Sequence, residues 1–413
     1  MPIAARSQRP PAMLPFNKPY LVGKELEYVS QVITSGRIAA DGDFTKRCAA
    51  LLEDRFAIRK VFMTPSCTAA LEMAAILCDL GPGDEVIMPS FTFASTASAV
   101  MRSGAKPVFV EIRPDTFNID EMRIEAAISP RTRAIFPVHY AGVGCEMNRI
   151  MAIADAHGLK VVEDAAQGVN SSYDGRALGS IGHMGVYSFH DTKNVICGEG
   201  GAICINTPEL VERAEIVRDK GTNRSQFFRG EVDKYTWVEV GSSFLPSELA
   251  CAFLCAQLEA MDAIKERREA IAQYYRERLE PLEWAGFLRL PVVPRACVSH
   301  CRTFYIVLPG EGVRDALMNH LRKHGVSAVF HFVPLHSSPM GRKLGYKKDD
   351  LPLTEEMSAR LLRLPSFVEI TEAEQARVVE LVSSFLLGGR AVAQPVAIDL
   401  APAPSASTEG AFR

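Results

Sequence analysis

Along the first half of the chain, apolar residues recur at every third or fourth position in some stretches and form short unbroken runs in others. Leu26, Val29, Val32 and Ile33 within Gly23 to Ser35 have the spacing of an amphipathic helix, and so do Phe44, Cys48, Leu51, Leu52 and Phe56 after a Gly36 to Asp43 loop. From there strand-like and helical stretches alternate. Val61 to Thr64, Glu85 to Met88, Lys106 to Glu111, Arg133 to His139, Leu159 to Glu163, Val186 to Phe189 and Ala202 to Asn206 read as strands. Between them, Ser66 to about Asp79, Ala94 to Arg102, Asp120 to Ile128 and Asn148 to His157 read as helices, the first opened by a Ser66 or Thr68 cap. Such alternation predicts an α/β fold with a mostly parallel sheet sheathed by helices, because parallel neighbours need crossover connections.

Pro246 to about Leu279 reads as one long helical stretch joining this unit to a second, with Pro281, Pro291 and Pro294 as punctuation. Beyond it Thr303 to Leu308 and Ser327 to Phe332 have strand character, and Val313 to His324, Thr354 to Arg363 and Thr371 to Leu387 helical character. The expected organisation is a flexible lead over residues 1–13, a large domain over 14–260 with its joining helix to about 280, a smaller C-terminal α/β domain over 281–388, and a disordered Ala-, Pro- and Ser-rich tail over 389–413.

Composition narrows the function classes. At 413 residues, 47% hydrophobic and 23% charged, the chain has the make-up of a globular protein with room for two domains. A net charge of -3 gives no general drive toward nucleic acid or an anionic membrane. The ten cysteines show no CxxC pair and no Cys/His ligand spacing, which predicts reduced thiols and no metal site. No apolar run approaches the roughly 18 residues of a membrane span, and the expected location is the cytoplasm.

In parallel sheets, ligands sit beyond the carboxyl ends of the strands. The residues just past those ends are Ser66 to Thr68, Phe91 to Phe93, His139 and Tyr140, Asp164 to Gln167, and Ser188 to Lys193. Lys193 lies in Ser188-Phe189-His190-Asp191-Thr192-Lys193-Asn194, ahead of the glycine-rich Gly198 to Gly201. A lysine at a pocket edge that sheds its proton readily forms a Schiff base. Asp164 closes an apolar strand and is placed to keep a ring nitrogen protonated, whereas Glu163 faces the opposite way. The Ser66-Cys67-Thr68 helix start, with the Ser188 hydroxyl, suits a phosphate. Phe93 is placed to stack on a ring. Together these are the requirements of pyridoxal 5'-phosphate.

The motifs EDAAQG (Glu163 to Gly168), SFHDTKN (Ser188 to Asn194) and GEGG (Gly198 to Gly201) resemble those of the DegT/DnrJ/EryC1/StrS nucleotide-sugar aminotransferases, over about Phe16 to Leu387. The resemblance implies the fold type I aminotransferase architecture and a homodimer with active sites at the subunit interface. It makes Lys193 the cofactor-bound lysine, Asp164 the partner of the pyridine nitrogen and Gln167 a contact of the ring hydroxyl. It places the phosphate on Ser66, Cys67, Thr68 and Ser188, and makes Phe93 the stacking aromatic. Where many members carry a Tyr-Asn pair whose asparagine reaches the partner's phosphate, this chain has Ser242-Ser243, so Ser243 is the candidate there. The run Lys220 to Trp237 is similar to that of members aminating C4 of a dTDP-linked 4-keto-6-deoxy-D-glucose with L-glutamate as donor. Candidate substrate contacts are Asn223, Arg224, Tyr235 and Trp237 in that run, with His190, His331 and His336. Another nucleotide keto-sugar, or a non-catalytic regulatory role, is the alternative.

Overall fold

The computed structural model describes residues 13–388. The expected lead, but for Met13, and the expected tail lie outside the described residues. The central sheet contains β1 (Lys60–Thr64), β2 (Glu85–Pro89), β3 (Lys106–Val110), β4 (Thr132–Ile135) and β5 (Lys160–Asp164). After a small hairpin of β6 (Ser172–Tyr173) and β7 (Arg176–Ala177), β8 (Met184–Ser188) and β9 (Gly201–Ile205) complete it. The order across the sheet is β1-β9-β8-β5-β4-β2-β3. The strands from β3 to β8 run parallel, and β9 runs against both of its neighbours. The expected mostly parallel sheet is therefore present, with one reversed strand that starts at the edge where the parallel strands end.

The helices of this part are α1 (Glu25–Ser35), α2 (Asp43–Phe56), α3 (Cys67–Leu77), α4 (Ala94–Arg102), α5 (Ile124–Ala127), α6 (Met147–His157), α7 (Val211–Arg218), α8 (Arg224–Phe228), α9 (Glu248–Glu259) and α10 (Met261–Trp284). They cover both faces of the sheet, which explains why its strands read as unbroken apolar runs. Successive strand residues point to opposite faces. Val61, Met63, Ile87, Val161 and Tyr187 join one core with Val32, Leu52, Ile150 and Leu254 of α1, α2, α6 and α9. Phe62, Val86, Met88, Val162 and Val186 join the other with Leu71, Val100 and Val217 of α3, α4 and α7.

A second unit contains β10 (Cys297–Val298), β11 (Tyr305–Val307) and β12 (Leu361–Arg363), with α11 (Glu311–Lys323), α12 (Pro339–Lys343), α13 (Pro352–Arg360) and α14 (Glu372–Gly388). Its core gathers Tyr275 and Leu279 of α10, Leu317, Ile306, Leu362 and Val378, and Leu14 from the start of the described chain. β10 pairs with β6 of the first unit. An aromatic cluster of Phe91, Phe117, Tyr140 and Tyr305 also joins the two units.

Several expected elements differ. The long helix from Pro246 is two helices that meet at Ala260, and Pro281 lies inside α10, whose helix runs on to Trp284. Leu26 and Ile33 face outward, because the buried stripe of α1 is Glu25, Tyr28 and Val32. The strand from Arg133 stops at Ile135, just before Pro137, which has no N–H for a ladder. Asp120 to Ile128 divides into a short 3-10 turn and α5. Ser327 to Phe332 contributes a single bridge, Val329 to Arg363. The helix read through Arg363 ends at Arg360, and Leu361–Arg363 instead pairs with β11.

The N-terminus of α2 is closed from a distant part of the chain. The buried carboxylate of Glu248 accepts from the N–H groups of Gly42 (3.0 Å), Phe44 (2.9 Å) and Thr45 (2.9 Å), and from the Thr45 hydroxyl. These are donors that a helix start leaves without intrahelical acceptors, and the carboxylate also complements the helix dipole. Replacing Glu248 by Gln removes the charge while keeping the shape, and we predict a loss of about 2 kcal/mol. Urea unfolding of the cofactor-free protein, followed by circular dichroism, measures it; coincident curves for the two proteins would show that the cap contributes nothing.

Candidate active site

β1, β2, β4, β5 and β8 end along one edge, and the expected site residues lie there. Val162 and Asp164 share a face of β5, so Asp164 emerges beside the core that holds Val162 while Glu163 turns the other way. Glu163 is fully occupied there, accepting from the N–H groups of Gly179 (2.9 Å), Ile181 (2.6 Å) and Gly182 (2.6 Å) and pairing with His139 Nε2 (2.9 Å). The Cys145 N–H donates to His139 Nδ1 (3.1 Å), so the proton of that ring sits on Nε2 and points at Glu163. Asp164 is buried, and one carboxylate oxygen accepts from the Thr96 hydroxyl at 2.7 Å while the other accepts from the Ala166 N–H at 3.2 Å. Thr96 lies in the first turn of α4, within 3.0 Å of the Thr92 hydroxyl.

The connection from β8 to β9 carries Lys193. The Phe189 N–H donates to Gly200 O (2.9 Å) and the Asp191 N–H to Gly198 O (2.9 Å), which narrows the base of the loop. The Lys193 N–H donates to His190 O (2.9 Å), setting its side chain on a tight turn. Burial brings the Lys193 amine down from its ordinary 10.5 to about 8, and the Arg302 and Arg363 guanidiniums push the same way, against Cys67 and Asp164. About a tenth of the amine is then neutral at pH 7, against less than a thousandth for an ordinary lysine. A nucleophilic amine requires that neutral fraction.

The turn expected to hold a phosphate follows the end of β1. Ser66 caps α3, its hydroxyl accepting from the Ala69 N–H (3.1 Å), and the first turn leaves the Cys67 and Thr68 N–H groups without intrahelical acceptors. The Thr68 hydroxyl lies 2.8 Å from that of Ser95. Ser188 ends β8 directly opposite Gly201, which also pairs with Thr64 of β1. Gly201 has to be glycine: a Cβ there would stand 2.4 Å from the Ser66 carbonyl carbon and 2.5 Å from the Cys67 nitrogen. Phe93, 64% exposed, opens toward solvent beside Phe332, with ring centroids 6.3 Å apart. Gln167 is buried, its amide oxygen accepting from the Ala141 N–H (3.1 Å). Free N–H groups at a helix start, a buried carboxylate, an exposed aromatic face and a partly neutral lysine fit pyridoxal 5'-phosphate.

The remaining candidates divide. His331 Nδ1 lies 3.1 Å from the Tyr140 hydroxyl, and burial with the fields of Arg363, Arg302 and Lys193 holds its pKa well below 6.5, so the ring is neutral. His336 is a correction: it is wholly buried, with Nδ1 on Ser90 Oγ (2.7 Å) and Nε2 on Lys348 O (3.1 Å), leaving no nitrogen for a substrate. His190 turns outward to Thr192 and Asp191. Asn223 is taken up by its own loop, accepting from the Thr236 N–H at 2.7 Å. Arg224 stacks on Phe228 at 5.2 Å and, with Lys220, Asp219 and Ser243, lines a separate cleft. Tyr235 and Trp237 are exposed, Trp237 at 73%.

Sequence reasoning missed Thr96, Arg302 and Arg363. The Arg302 guanidinium donates to Thr303 Oγ1 (2.9 Å), Thr192 O (3.0 Å) and Gln167 Oε1 (3.5 Å). Burial lowers it to about 9, with Arg363 and Arg268 adding to the effect. Arg363 donates to Phe330 O (3.0 Å), lies over the Phe16 ring and falls to about 10 through burial. The available signal was a single arginine inside each of two apolar runs, Cys301 to Tyr305 and Leu361 to Pro365.

A doubly covered, mostly parallel sheet with a lysine and a carboxylate at its strand ends is the architecture of an aminotransferase. The structure superposes on the crystal structure of the aminotransferase TlmJ from Streptoalloteichus hindustanus with a TM-score of 0.83, at 29% identity over 91% of this chain and 99% of that one. Residues 19–383 match the DegT/DnrJ/EryC1/StrS aminotransferase family, and the chain belongs to it. Among its relatives are the pleiotropic regulatory protein of Geobacillus stearothermophilus, 35% identical over 87% of this chain and 94% of that one. Another is the GDP-perosamine synthase of Caulobacter vibrioides, 32% identical over 89% of this chain and 97% of that one.

Two outcomes are expected. Gly201→Ala should weaken pyridoxal phosphate binding by about tenfold or more, because its methyl group displaces the backbone of the phosphate turn. Cofactor titration followed by absorbance tests this, and an unchanged dissociation constant would refute the close packing. In cofactor-free protein, trace acetylation of Lys193 read by mass spectrometry should rise with pH to a midpoint near 8, and a midpoint near 10.5 would show an ordinary lysine.

Proposed function

We propose that this chain is a pyridoxal phosphate-dependent sugar aminotransferase that moves the amino group of L-glutamate to C4 of dTDP-4-keto-6-deoxy-D-glucose. The products are dTDP-4-amino-4,6-dideoxy-D-galactose and 2-oxoglutarate, which makes it a dTDP-4-amino-4,6-dideoxygalactose transaminase working as a homodimer. The observation that carries the aminotransfer reading is the amine of Lys193, lowered to about 8, at the same sheet edge as the buried Asp164. When bound, the cofactor supplies an electron sink that accepts the amino group from the donor and passes it to the acceptor.

The chain's own residues do the rest. Asp164, oriented by the Thr96 hydroxyl and the Ala166 N–H, keeps the pyridine nitrogen protonated. Lys193 Nζ takes the α-proton of glutamate and, in the second half of the cycle, delivers a proton to C4 of the sugar from one face, fixing the configuration there. Ser66 to Thr68 and Ser188 would hold the cofactor's phosphate, and Phe93 would cover its ring. Support for a nucleotide-sugar acceptor comes from a relative whose name is GDP-perosamine synthase, and support for the dTDP-linked sugar from the Lys220 to Trp237 run. The cleft formed by Lys220, Arg224 and Ser243 is the proposed cross-subunit contribution.

The relative named a pleiotropic regulatory protein motivates a second reading, cofactor binding without turnover. Adding glutamate to the yellow, cofactor-loaded protein separates the two: spectral conversion to the amine form with release of 2-oxoglutarate is expected, and an unchanged spectrum would favour the regulatory role. Lys193→Ala should lose both the visible band of lysine-bound cofactor and all turnover. Product analysis by NMR with 4-keto and 3-keto dTDP-sugars then fixes the acceptor, since preference for a 3-keto sugar would replace the C4 assignment.

A further inference from the structure

Two of the nine histidines repeat one contact. His300 donates its main-chain N–H to Ser171 Oγ at 3.0 Å, while its ring Nδ1 lies 2.7 Å from the same oxygen. His336 donates its main-chain N–H to Ser90 Oγ at 3.0 Å, again with Nδ1 at 2.7 Å. Among the described residues no other histidine grips a hydroxyl in this way. Both residues are buried. The His336 Nε2 faces the Lys348 carbonyl and so carries the ring proton, which leaves Nδ1 to accept from the Ser90 hydroxyl. Burial, with the fields of Arg268, Arg302, Lys265 and Lys193, holds the His300 pKa well below 6.5, so that ring is neutral. In each pair the histidine belongs to the second unit and the serine follows a strand of the central sheet, Ser171 after β5 and Ser90 after β2.

The two clasps lead to different halves of the site. The His300 carbonyl accepts from Asn194 Nδ2 at 3.4 Å, and Asn194 is the residue after Lys193. The His300 ring fills the space over Gly142, where a Cβ would stand 2.4 Å from Nδ1. Beside it the Ser299 hydroxyl donates to Ala141 O (3.3 Å), and the Ala141 N–H donates to Gln167. Loops that follow β4, β5 and β8 thus meet on one short segment of the second unit. At the other clasp Ser90 O also accepts from the Leu335 N–H (2.9 Å). From Ser90 the chain runs through Phe91 and Thr92 to Phe93 and then to Thr96, the hydroxyl donor to Asp164. We propose that His300 and His336 are positioning residues for amino transfer, which together set where Lys193 stands relative to Asp164 and the face of Phe93. This rests on the aminotransferase reading above. Two hydrogen bonds closed through one hydroxyl fix the histidine rotamer and the loop that carries the serine, and a misplacement of about 1 Å at the reacting groups costs about a hundredfold in rate. Neither imidazole has to touch substrate or cofactor for this.

His300→Ala and His336→Ala test the clasps, with His300→Asn and His336→Asn as rescue variants, because the amide oxygen of asparagine takes the place of Nδ1 and accepts from the same hydroxyl. With saturating glutamate, single-turnover conversion of the cofactor-loaded protein should slow about tenfold to a hundredfold in each Ala variant, while the half-saturating glutamate concentration changes by less than about threefold. Each Asn variant should recover most of the rate. In cofactor-free His300→Ala, the acetylation midpoint of Lys193 should rise from near 8 toward 10.5 as its loop loosens, whereas His336→Ala should leave it near 8. Ser171→Ala and Ser90→Ala replace an Ala variant that fails to fold and should show the same loss of rate. Wild-type rates in the Ala variants, or Asn variants no faster than them, would overturn the proposal. If the wild-type protein binds cofactor without converting it in glutamate, the aminotransfer reading falls; the His300 clasp is then decided by the acetylation midpoint, and a value that stays near 8 in His300→Ala removes it as well.

Discussion

Burying both faces of the central sheet leaves its polar groups one place to go, the ends of the strands. Inside the sheet the alternating positions of β1, β2, β5 and β8 are claimed by one core or the other, and a charge placed there must be fully satisfied. Glu163 shows what that takes, with three backbone N–H groups and a histidine around one carboxylate. One residue later, Asp164 reaches the edge and needs only Thr96 and Ala166 from the protein, so its remaining capacity is directed outward. The candidate site is thus the part of the sheet where polarity is permitted, and its composition follows from that restriction.

The electrostatics of this edge are lopsided. Lys193, Arg302 and Arg363 are each pushed below their usual values by burial first; Arg302 and Arg363 add to the effect at Lys193, and Arg363 and Arg268 at Arg302, whereas at Arg363 the Tyr140 hydroxyl works against it. For Lys193 the sign matters to stability as well as to reactivity. Its folded value near 8 lies below 10.5, so the native state binds this proton less tightly than the unfolded chain. The cost is fully present below about pH 8 and disappears as pH rises from there toward 10.5.

Much of this was legible in the sequence, and the exceptions share a cause. Strand and helix alternation located β1 to β3, β5, β8 and β9 within a residue or two and overran β4 by four residues, and the rule that ligands gather past the strand ends pointed to Asp164, Ser188 and Lys193, which the structure sets along one sheet edge. Those signals are local, carried by a run of residues and its flanks. Thr96 was missed because its importance lies in a contact with Asp164, 68 residues away in sequence. Arg302 and Arg363 were missed because they reach the site from the second unit, where Arg302 precedes an ordinary-looking strand and Arg363 ends an expected helix. His336 was overvalued for the converse reason: a histidine is a natural substrate contact, but Ser90 and Lys348 already occupy both ring nitrogens.

β1 is an edge strand whose only partner in the sheet is β9. The turn that starts α3 is therefore aligned with the rest of the sheet edge by the register of that antiparallel pair, with the Thr68 hydroxyl against that of Ser95 as a second tie. Gly201 faces Thr64 on one side and Ser188 on the other, so a slip of one residue would send alternate side chains of β9 into the wrong core and carry Ser66 to Thr68 out of alignment with Ser188. The pairing is also non-local, and such contacts form late in folding. The cofactor cup accordingly cannot exist in a partly assembled sheet, and a chain able to hold the phosphate is one whose strand order has already been proofread.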